Sequence, residues 1–377
     1  MIVKYITFRP YHSGFSNIIM SYEIAVSLAY ITKRTLVLPP KDWILFISHG
    51  RDPDDYKNIW ELFDKDFLKT QINCIDYYDV PEFQGKFDEI SGYFYFNGNN
   101  EFSYTSNMKK IFGDDCFTFA KKSHILLCDE NIVFFNQENG MKNFREFCCG
   151  RMSIDLSAFD MKFIDFNNNL FGSYWYSVFA GNVEKRNEMK SIINKCFRYK
   201  NKFYDLAKEV KNKIGQYNST HIRRNDFLIT QKNNLESISN PEKLRRSIEK
   251  LYNNSLPLYI STDEKNKNFF NELRYEYEIY FYEDFDFNLS EFERIAVEQI
   301  ICSESKSFYG TYSSTFSKRI NVMRGIEGKQ SNDNYGVNTY PKFSEEDTKI
   351  PFPWRFTPNK RWEWISSSYP QWTFENV

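Results

Sequence analysis

The chain has 377 residues, enough for two domains of ordinary size or one large one. Its 49 Lys and Arg against 50 Asp and Glu leave a net charge of −1, which excludes recruitment of nucleic acid or anionic membrane by a net field. Aromatic residues make up 19%, and that much aromatic surface demands burial or a ligand, so a disordered chain is excluded too.

The first strand is predicted over Ile2–Phe8, a β-branched and aromatic run. Pro10 and Gly14 break it, and Asn17–Lys33 follows with apolar residues at Ile18, Ile19, Tyr22, Ala25, Val26, Leu28 and Ala29, a helical spacing. Thr35–Leu38 is a second strand stopped by Pro39 and Pro40, which completes a βαβ unit. The stretch from about 41 to 110 is aromatic, acidic and irregular. His124–Cys128 reads as a strand, and residues 140–175 carry no clear period.

Helices are expected over Asn182–Lys200 and Phe203–Ile214, then a strand over Ser219–Arg223. Pro241–Tyr252, Asn266–Tyr275, Leu289–Cys302 and Ser314–Arg324 read as helices. Leu258–Ser261, Ile279–Tyr282 and Ser307–Gly310 read as the strands between them. Such alternation predicts an α/β fold with parallel sheets covered on both faces. A boundary near 200–216 divides the chain into 1–205 and 206–330, and the Trp-rich tail, 331–377, is expected to pack back on the body.

Seven cysteines without a CxxC pair signal neither a zinc ribbon nor a thioredoxin-like site, and they read as reduced thiols. With only His12, His49, His124 and His221, a multi-histidine metal site is not expected. The first residues lack a basic segment followed by a long apolar one, and nowhere do eighteen apolar residues run together. The expectation is a cytoplasmic protein with no transmembrane segment.

In open α/β sheets, ligands sit beyond the C-terminal strand ends, so four loops matter: 9–17, 223–227, 262–265 and 310–317. In the first, Gly14 allows close backbone approach and the next helix offers free N–H groups, though a strand-to-helix turn wants a glycine anyway. In the second, Arg223 and Arg224 could fork onto a diphosphate, or form a solvated turn with Asp226. Adjacent strand residues point to opposite faces, so one arginine reaches a ligand more easily than the other. In the third, Asp263 could read a ribose or a base edge, or cap the helix after it. The fourth, Phe308 to Ser317, is a small, hydroxyl-rich turn opening a helix, suited to an anion or simply to capping.

Taken in order, these loops resemble the protein O-fucosyltransferases and their α1,6-fucosyltransferase relatives. The similarity rests on Gly14-Phe15-Ser16-Asn17, Leu36 to Pro40, His221 to Phe227, Ser261-Thr262-Asp263-Glu264 and Phe308 to Gly325, and Asp55–Phe63 adds to it. The resemblance implies a GT-B architecture, two facing Rossmann-like domains with a cleft between them. Residues 1–205 would be the acceptor side and 206–330 the nucleotide-sugar domain. It implies an inverting transfer of fucose from GDP-fucose, without a metal or other cofactor, to a hydroxyl of a glycan or protein.

Carried over by position, Arg223 would hold the β-phosphate and stabilise the leaving diphosphate. His221 would contact the nucleoside, Asp263 would read guanine, and Arg224 would join the donor site. Ser314, Thr315 and Phe316 would line the phosphates, while Gly14 and Asn17 would close the N-terminal side. A fixed guanidinium aimed at departing charge can replace a divalent cation. Asp54-Asp55 and Asp114-Asp115 read as surface acids rather than a metal pair.

The chain departs from the family in one place: some members carry an acidic base beside the loop glycine, where this one has Ser13 preceded by His12. The base is therefore His12, or Asp226, or absent in a strongly dissociative route. Two further readings stand beside this one: the same fold with another nucleotide-sugar, and a catalytically silent sugar- or partner-binding module.

Overall fold

The computed structural model describes residues 2–10, 15–39, 58–90, 94–97, 101–104, 107–118, 123–128, 131–136, 160–170, 183–225, 227–230, 240–252, 255–311, 314–327, 329, 354–356 and 362–364. They form two compact units, which meet in sequence between Arg198 and Tyr199. That junction precedes the helix Asn201–Ile214, whereas the boundary expected at 205 lies inside it.

The first unit holds strands β1 (Tyr5–Pro10), β2 (Thr35–Leu38), β3 (Cys74–Asp76), β4 (Phe94–Asn97), β5 (Glu101–Tyr104), β6 (Cys116–Thr118), β7 (Ser123–Cys128), β8 (Asn131–Asn136) and β9 (Phe163–Leu170). Five of them make a parallel sheet in the order β3-β2-β1-β9-β6, while β4–β5 and β7–β8 are antiparallel hairpins. The helix Phe15–Thr32 connects β1 to β2, as the periodicity predicts. One face of the sheet is an aromatic core in which Tyr5 stacks on Phe163 at 5.3 Å, with Val37, Tyr77 and Phe83 beside them.

β9 lies in the stretch that showed no clear period, yet it is hydrogen-bonded on both sides, Tyr5↔Phe163 and Cys116↔Phe163. A buried carboxylate interrupts its apolar pattern. Asp165 accepts from the Thr7 hydroxyl at 2.8 Å and the Thr118 hydroxyl at 3.4 Å, which offsets the cost of enclosing it.

The second unit is built on a parallel sheet of β10 (Asn218–Ile222), β11 (Leu258–Thr262), β12 (Ile279–Tyr280) and β13 (Phe308–Gly310), in the order β12-β11-β10-β13. Local rules account for its helices. Asn201–Ile214 buries Phe203, Ala207, Val210 and Ile214 along one stripe and stops at Gly215, whose φ of 72° favours glycine. Asn240 caps Pro241–Glu249 by accepting from the Glu242 and Lys243 amides. Ser290 and Glu293 close a reciprocal capping box at the start of Glu291–Glu304. The helix expected over 266–275 is a 3-10 helix, Lys267–Tyr275, and its cap is Asn266 rather than Asp263.

Pro241–Glu249 and the 3-10 helix cover one sheet face with Leu244, Ile248, Phe270 and Leu273. Glu291–Glu304 packs against Asn201–Ile214 and against Thr315–Ile326. Of the tail, only β14 (Trp354–Phe356) and β15 (Trp362–Trp364) are described, as an antiparallel hairpin grouped with the first unit. The expected packing of the rest of 331–377 lies outside the described residues. No helix among the described residues is long and apolar enough to cross a membrane.

Arg324, 1% exposed, anchors the last turn of Thr315–Ile326. Its guanidinium donates to the Ser303 carbonyl at 3.0 Å, the Ser305 carbonyl at 2.8 Å and the Lys306 carbonyl at 3.2 Å, gathering the turn that feeds β13. Arg324→Met keeps the stem but strands those carbonyls in a dry interior. We expect a loss of about 3 kcal/mol in stability, read from urea midpoints. A change within about 0.5 kcal/mol, the range of ordinary surface substitutions, would show that the anchor is dispensable.

Candidate active site

The order β12-β11-β10-β13 reverses direction at β10: the next strands in sequence step away on one side, and β13 lies on the other. Ligands of open α/β sheets bind at such a reversal, beyond the carboxyl ends of the strands. Three predicted loops leave the sheet there: Arg223 onward from β10, Asp263 onward from β11, and Thr311 onward from β13. In the first unit, β1 occupies the equivalent place between β2 and β9, so the loop bearing Gly14 follows the corresponding strand.

Gly310 sets the geometry of the second unit's edge. A Cβ at this position would overlap Cβ and Oγ of Ser317, so only glycine lets β13 and the helix Thr315–Ile326 come this close. Ser317 Oγ consequently reaches His221 Nδ1 at 2.8 Å, and the Phe316 ring lies 4.5 Å from the imidazole, tilted by 31°. His221 is 6% exposed. Burial, and then the nearby charge of Arg223, pull its pKa from the ordinary 6.5 down to about 3, so the ring is neutral across the physiological range.

Thr311 ties the ends of β10 and β13 together. Its hydroxyl donates to the His221 carbonyl at 2.9 Å and accepts from the Arg223 amide at 2.9 Å. β10 stops at Ile222, so both arginines lie in the turn beyond it rather than on the strand. They still diverge. The Arg223 guanidinium lies 4.6 Å from the centre of the Phe227 ring. Arg224 pairs with Glu264 and stacks 3.4 Å from the centre of Phe269. Asp263 accepts from the Arg224 amide at 2.7 Å and the Asn225 amide at 3.2 Å.

Ser314 stands at the N-cap of Thr315–Ile326, but its side chain makes no capping bond. The hydroxyl is fully buried and has no partner among the described residues. As in any helix, the amides of the first turn (Thr315, Phe316 and Ser317) have no acceptor within it. First-turn amides, the positive end of the helix dipole and a hydroxyl without a partner among the described residues suit a phosphate or diphosphate.

The structure therefore brings His221, Arg223, Arg224, Asp263, Ser314, Thr315 and Phe316 to one edge of one sheet. Asn17 lies in the first turn of Phe15–Thr32 in the other unit. His12, Gly14 and Asp226 lie outside the described residues. Sequence reasoning placed Thr311 and Ser317 in the hydroxyl-rich run of the fourth loop but gave neither a role. It also missed Glu264 and Phe269 as partners of Arg224. Among the described residues no group of His, Cys, Asp or Glu is arranged to hold a metal ion. Asp114 and Asp115 are exposed, and Lys109 lies 3.4 Å from Asp114.

A neutral, buried His221 has a measurable consequence. Between about pH 3 and 6.5 the unfolded chain takes up a proton that the folded chain refuses. Its stabilising contribution is complete above pH 6.5 and is lost as pH falls toward 3. From about pH 7.5 to about pH 5 the wild type should lose about 2 kcal/mol through this group, a loss absent from His221→Gln. Equal acid slopes for the two proteins in urea unfolding would contradict the buried neutral ring.

Comparison with known proteins adds to this geometry. The family described as "GDP-fucose protein O-fucosyltransferase" matches residues 5–327. The chain is 30% identical over 157 residues to "GDP-fucose protein O-fucosyltransferase 2" of Plasmodium berghei (strain Anka), a match covering 37% of this chain and 31% of that one. It thus spans just under a third of that relative's length. Among solved structures it resembles the apo form of POFUT1, with a TM-score of 0.51 and 14% identity over 89% of this chain and 99% of that one. POFUT1 in complex with GDP gives a TM-score of 0.51 and 15% identity over the same shares. At that identity the likeness shows the fold, an α/β chain of the GT-B class.

Proposed function

The chain belongs to the GDP-fucose protein O-fucosyltransferase family of glycosyltransferases, and on that premise we propose that it transfers fucose from GDP-fucose to a hydroxyl of a glycan or protein. The reaction is read as an inverting, metal-independent displacement. The observation that carries this reading is the loop after β13, where a buried Ser314 hydroxyl without a partner among the described residues opens the helix Thr315–Ile326 at the same end of the sheet as the turn bearing Arg223. The GDP held by the POFUT1 structure supports a nucleoside diphosphate as its occupant.

In this reading the hydroxyls of Ser314 and Thr315 and the amides of Thr315 and Phe316 hold the diphosphate. Breaking the bond between fucose and GDP builds negative charge on the β-phosphate, and Arg223 neutralises it without a metal. His221, kept neutral, supports Phe316 and Ser317 and leaves the cationic role to Arg223. The acceptor hydroxyl loses its proton to His12, the only side chain of its loop that titrates near neutrality. Asp226 or a base-free route takes over if His12 does not serve. A reducing compartment such as the cytosol belongs to the same reading, carried by free thiols at Cys74, Cys116, Cys196 and Cys302.

A panel of nucleotides and nucleotide-sugars tests the donor. GDP and GDP-fucose should stabilise the protein by about 3 kcal/mol at a hundredfold excess over their dissociation constants, and UDP and dTDP derivatives much less. Hydrolysis of GDP-fucose should survive EDTA. Equal stabilisation by a UDP-sugar would move the reading to another donor, and no turnover of any donor would favour a silent binding module.

Arg223→Ala and Arg223→Lys should each cut turnover about a hundredfold or more with the fold intact, since lysine keeps the charge but loses the planar fork. Arg224→Ala, removing a side chain engaged with Glu264 and Phe269, should be milder. If Arg224 proves the more sensitive, the roles of the two arginines are exchanged.

A pH–rate profile under donor saturation tests the base. Wild type should slow below about pH 6.5, and His12→Gln should be slower by about a hundredfold. A variant with near-wild-type rate and the same acid limb would exclude His12.

A further inference from the structure

Three consecutive amides follow the end of β10, and none enters a sheet ladder. The Arg223 amide donates to Thr311 Oγ1 at 2.9 Å, the Arg224 amide to Asp263 Oδ1 at 2.7 Å, and the Asn225 amide to Asp263 Oδ2 at 3.2 Å. Thr311 follows β13, the neighbour of β10 on one side, and Asp263 follows β11, the neighbour on the other. The acceptors thus grip the turn from opposite flanks. The Thr311 hydroxyl points its own proton at the His221 carbonyl, 2.9 Å away, which leaves a lone pair for Arg223. Asn225 Nδ2 also donates, to the Asp263 carbonyl at 3.0 Å, so the grip on that side is doubled. Both Asp263 oxygens are directed at the chain's own amides, and the cap of the following 3-10 helix is Asn266.

We propose that Asp263 and Thr311 are positioning residues for Arg223: together they fix the backbone from which its guanidinium projects, and Asp263 serves this turn rather than a nucleobase. An amide bonded to a carboxylate is held more strongly than one bonded to a neutral acceptor. The two-sided grip removes the backbone freedom that would let a long arginine side chain swing away from developing charge. The consequence for turnover rests on the donor reading above, whereas the grip itself does not.

Hydrogen exchange of the full-length protein without nucleotide tests the grip directly. In Asp263→Asn, an amide group replaces one oxygen and faces a donor with a donor. The Arg224 and Asn225 amides should exchange about tenfold faster or more. Thr311→Val should do the same at Arg223, and Thr311→Ser, which keeps the hydroxyl, should restore the wild-type rate. Amides of β11 should be unchanged in every variant, which separates a loosened turn from a damaged fold. Unchanged exchange at residues 223–225 overturns the proposal, whatever the donor proves to be.

Hydrolysis of GDP-fucose then tests the consequence. Asp263→Asn should lower kcat about tenfold or more while leaving the preference for GDP over inosine diphosphate intact. If that preference is lost at unchanged kcat, Asp263 reads the base and the proposal is wrong. A wild type that never turns over GDP-fucose sinks the donor reading and leaves the exchange result to decide the grip.

Discussion

A missing carbon atom at residue 310 governs the arrangement of the candidate site. Strand β13 and the first turn of Thr315–Ile326 meet only because Gly310 offers nothing for Ser317 to strike. That approach puts Ser317 against His221 and lays Phe316 beside the imidazole. Next in the chain, Thr311 reaches both the His221 carbonyl and the Arg223 amide through the pairing of β13 with β10. The contacts are not independent. A side chain at 310 would lift the helix from the strand, and the contacts of Ser317 and Phe316 with His221 would be lost together.

Around this edge the second unit is held by polar groups as well as by packing. Tyr199 donates to Gln299 at 2.6 Å, Tyr217 to the Ile301 carbonyl at 2.7 Å, and Ser219 to Ser305 at 2.7 Å. These bonds join the helix Glu291–Glu304, and the turn after it, to elements that precede it by 84 residues or more. Greasy contacts alone would let a helix slide along a sheet at little cost. Directional bonds in a dry interior fix its height, because each displaced partner would be left unsatisfied. The helices that begin beside the site therefore start at set positions, and loops as short as those after β10 and β13 have little slack to absorb error.

Much of this was legible in the sequence wherever a local rule held. Strand and helix alternation from β10 to Thr315–Ile326 followed from periodicity and from Pro241 at the start of a helix. The strand-end loops stood out through glycine and hydroxyl content. β9 did not, because a buried Asp165 and three asparagines mask the apolar pattern of a central strand, and its neighbours β6 and β1 pair with it across 47 and 158 positions. The 3-10 geometry of 267–275 was equally hidden, since its apolar spacing resembles that of an α-helix over so short a run. The partners of Arg223 and Asp263 could not be read at all: they bridge 88 and 39 positions, and no local period announces such a contact.

The helix Thr315–Ile326 is held at one end by Arg324 and presents Ser314, Thr315 and Phe316 at the other. Nine residues separate Arg324 from Thr315, about 13 Å of helix axis. Mechanically this is a lever with its fulcrum in the interior. A tilt of about 5° at the anchored end would carry the first turn by about 1 Å, a displacement that can cost a hundredfold in a positioned reaction. The buried guanidinium thereby couples the rigidity of the unit's interior to the position of the residues at its rim.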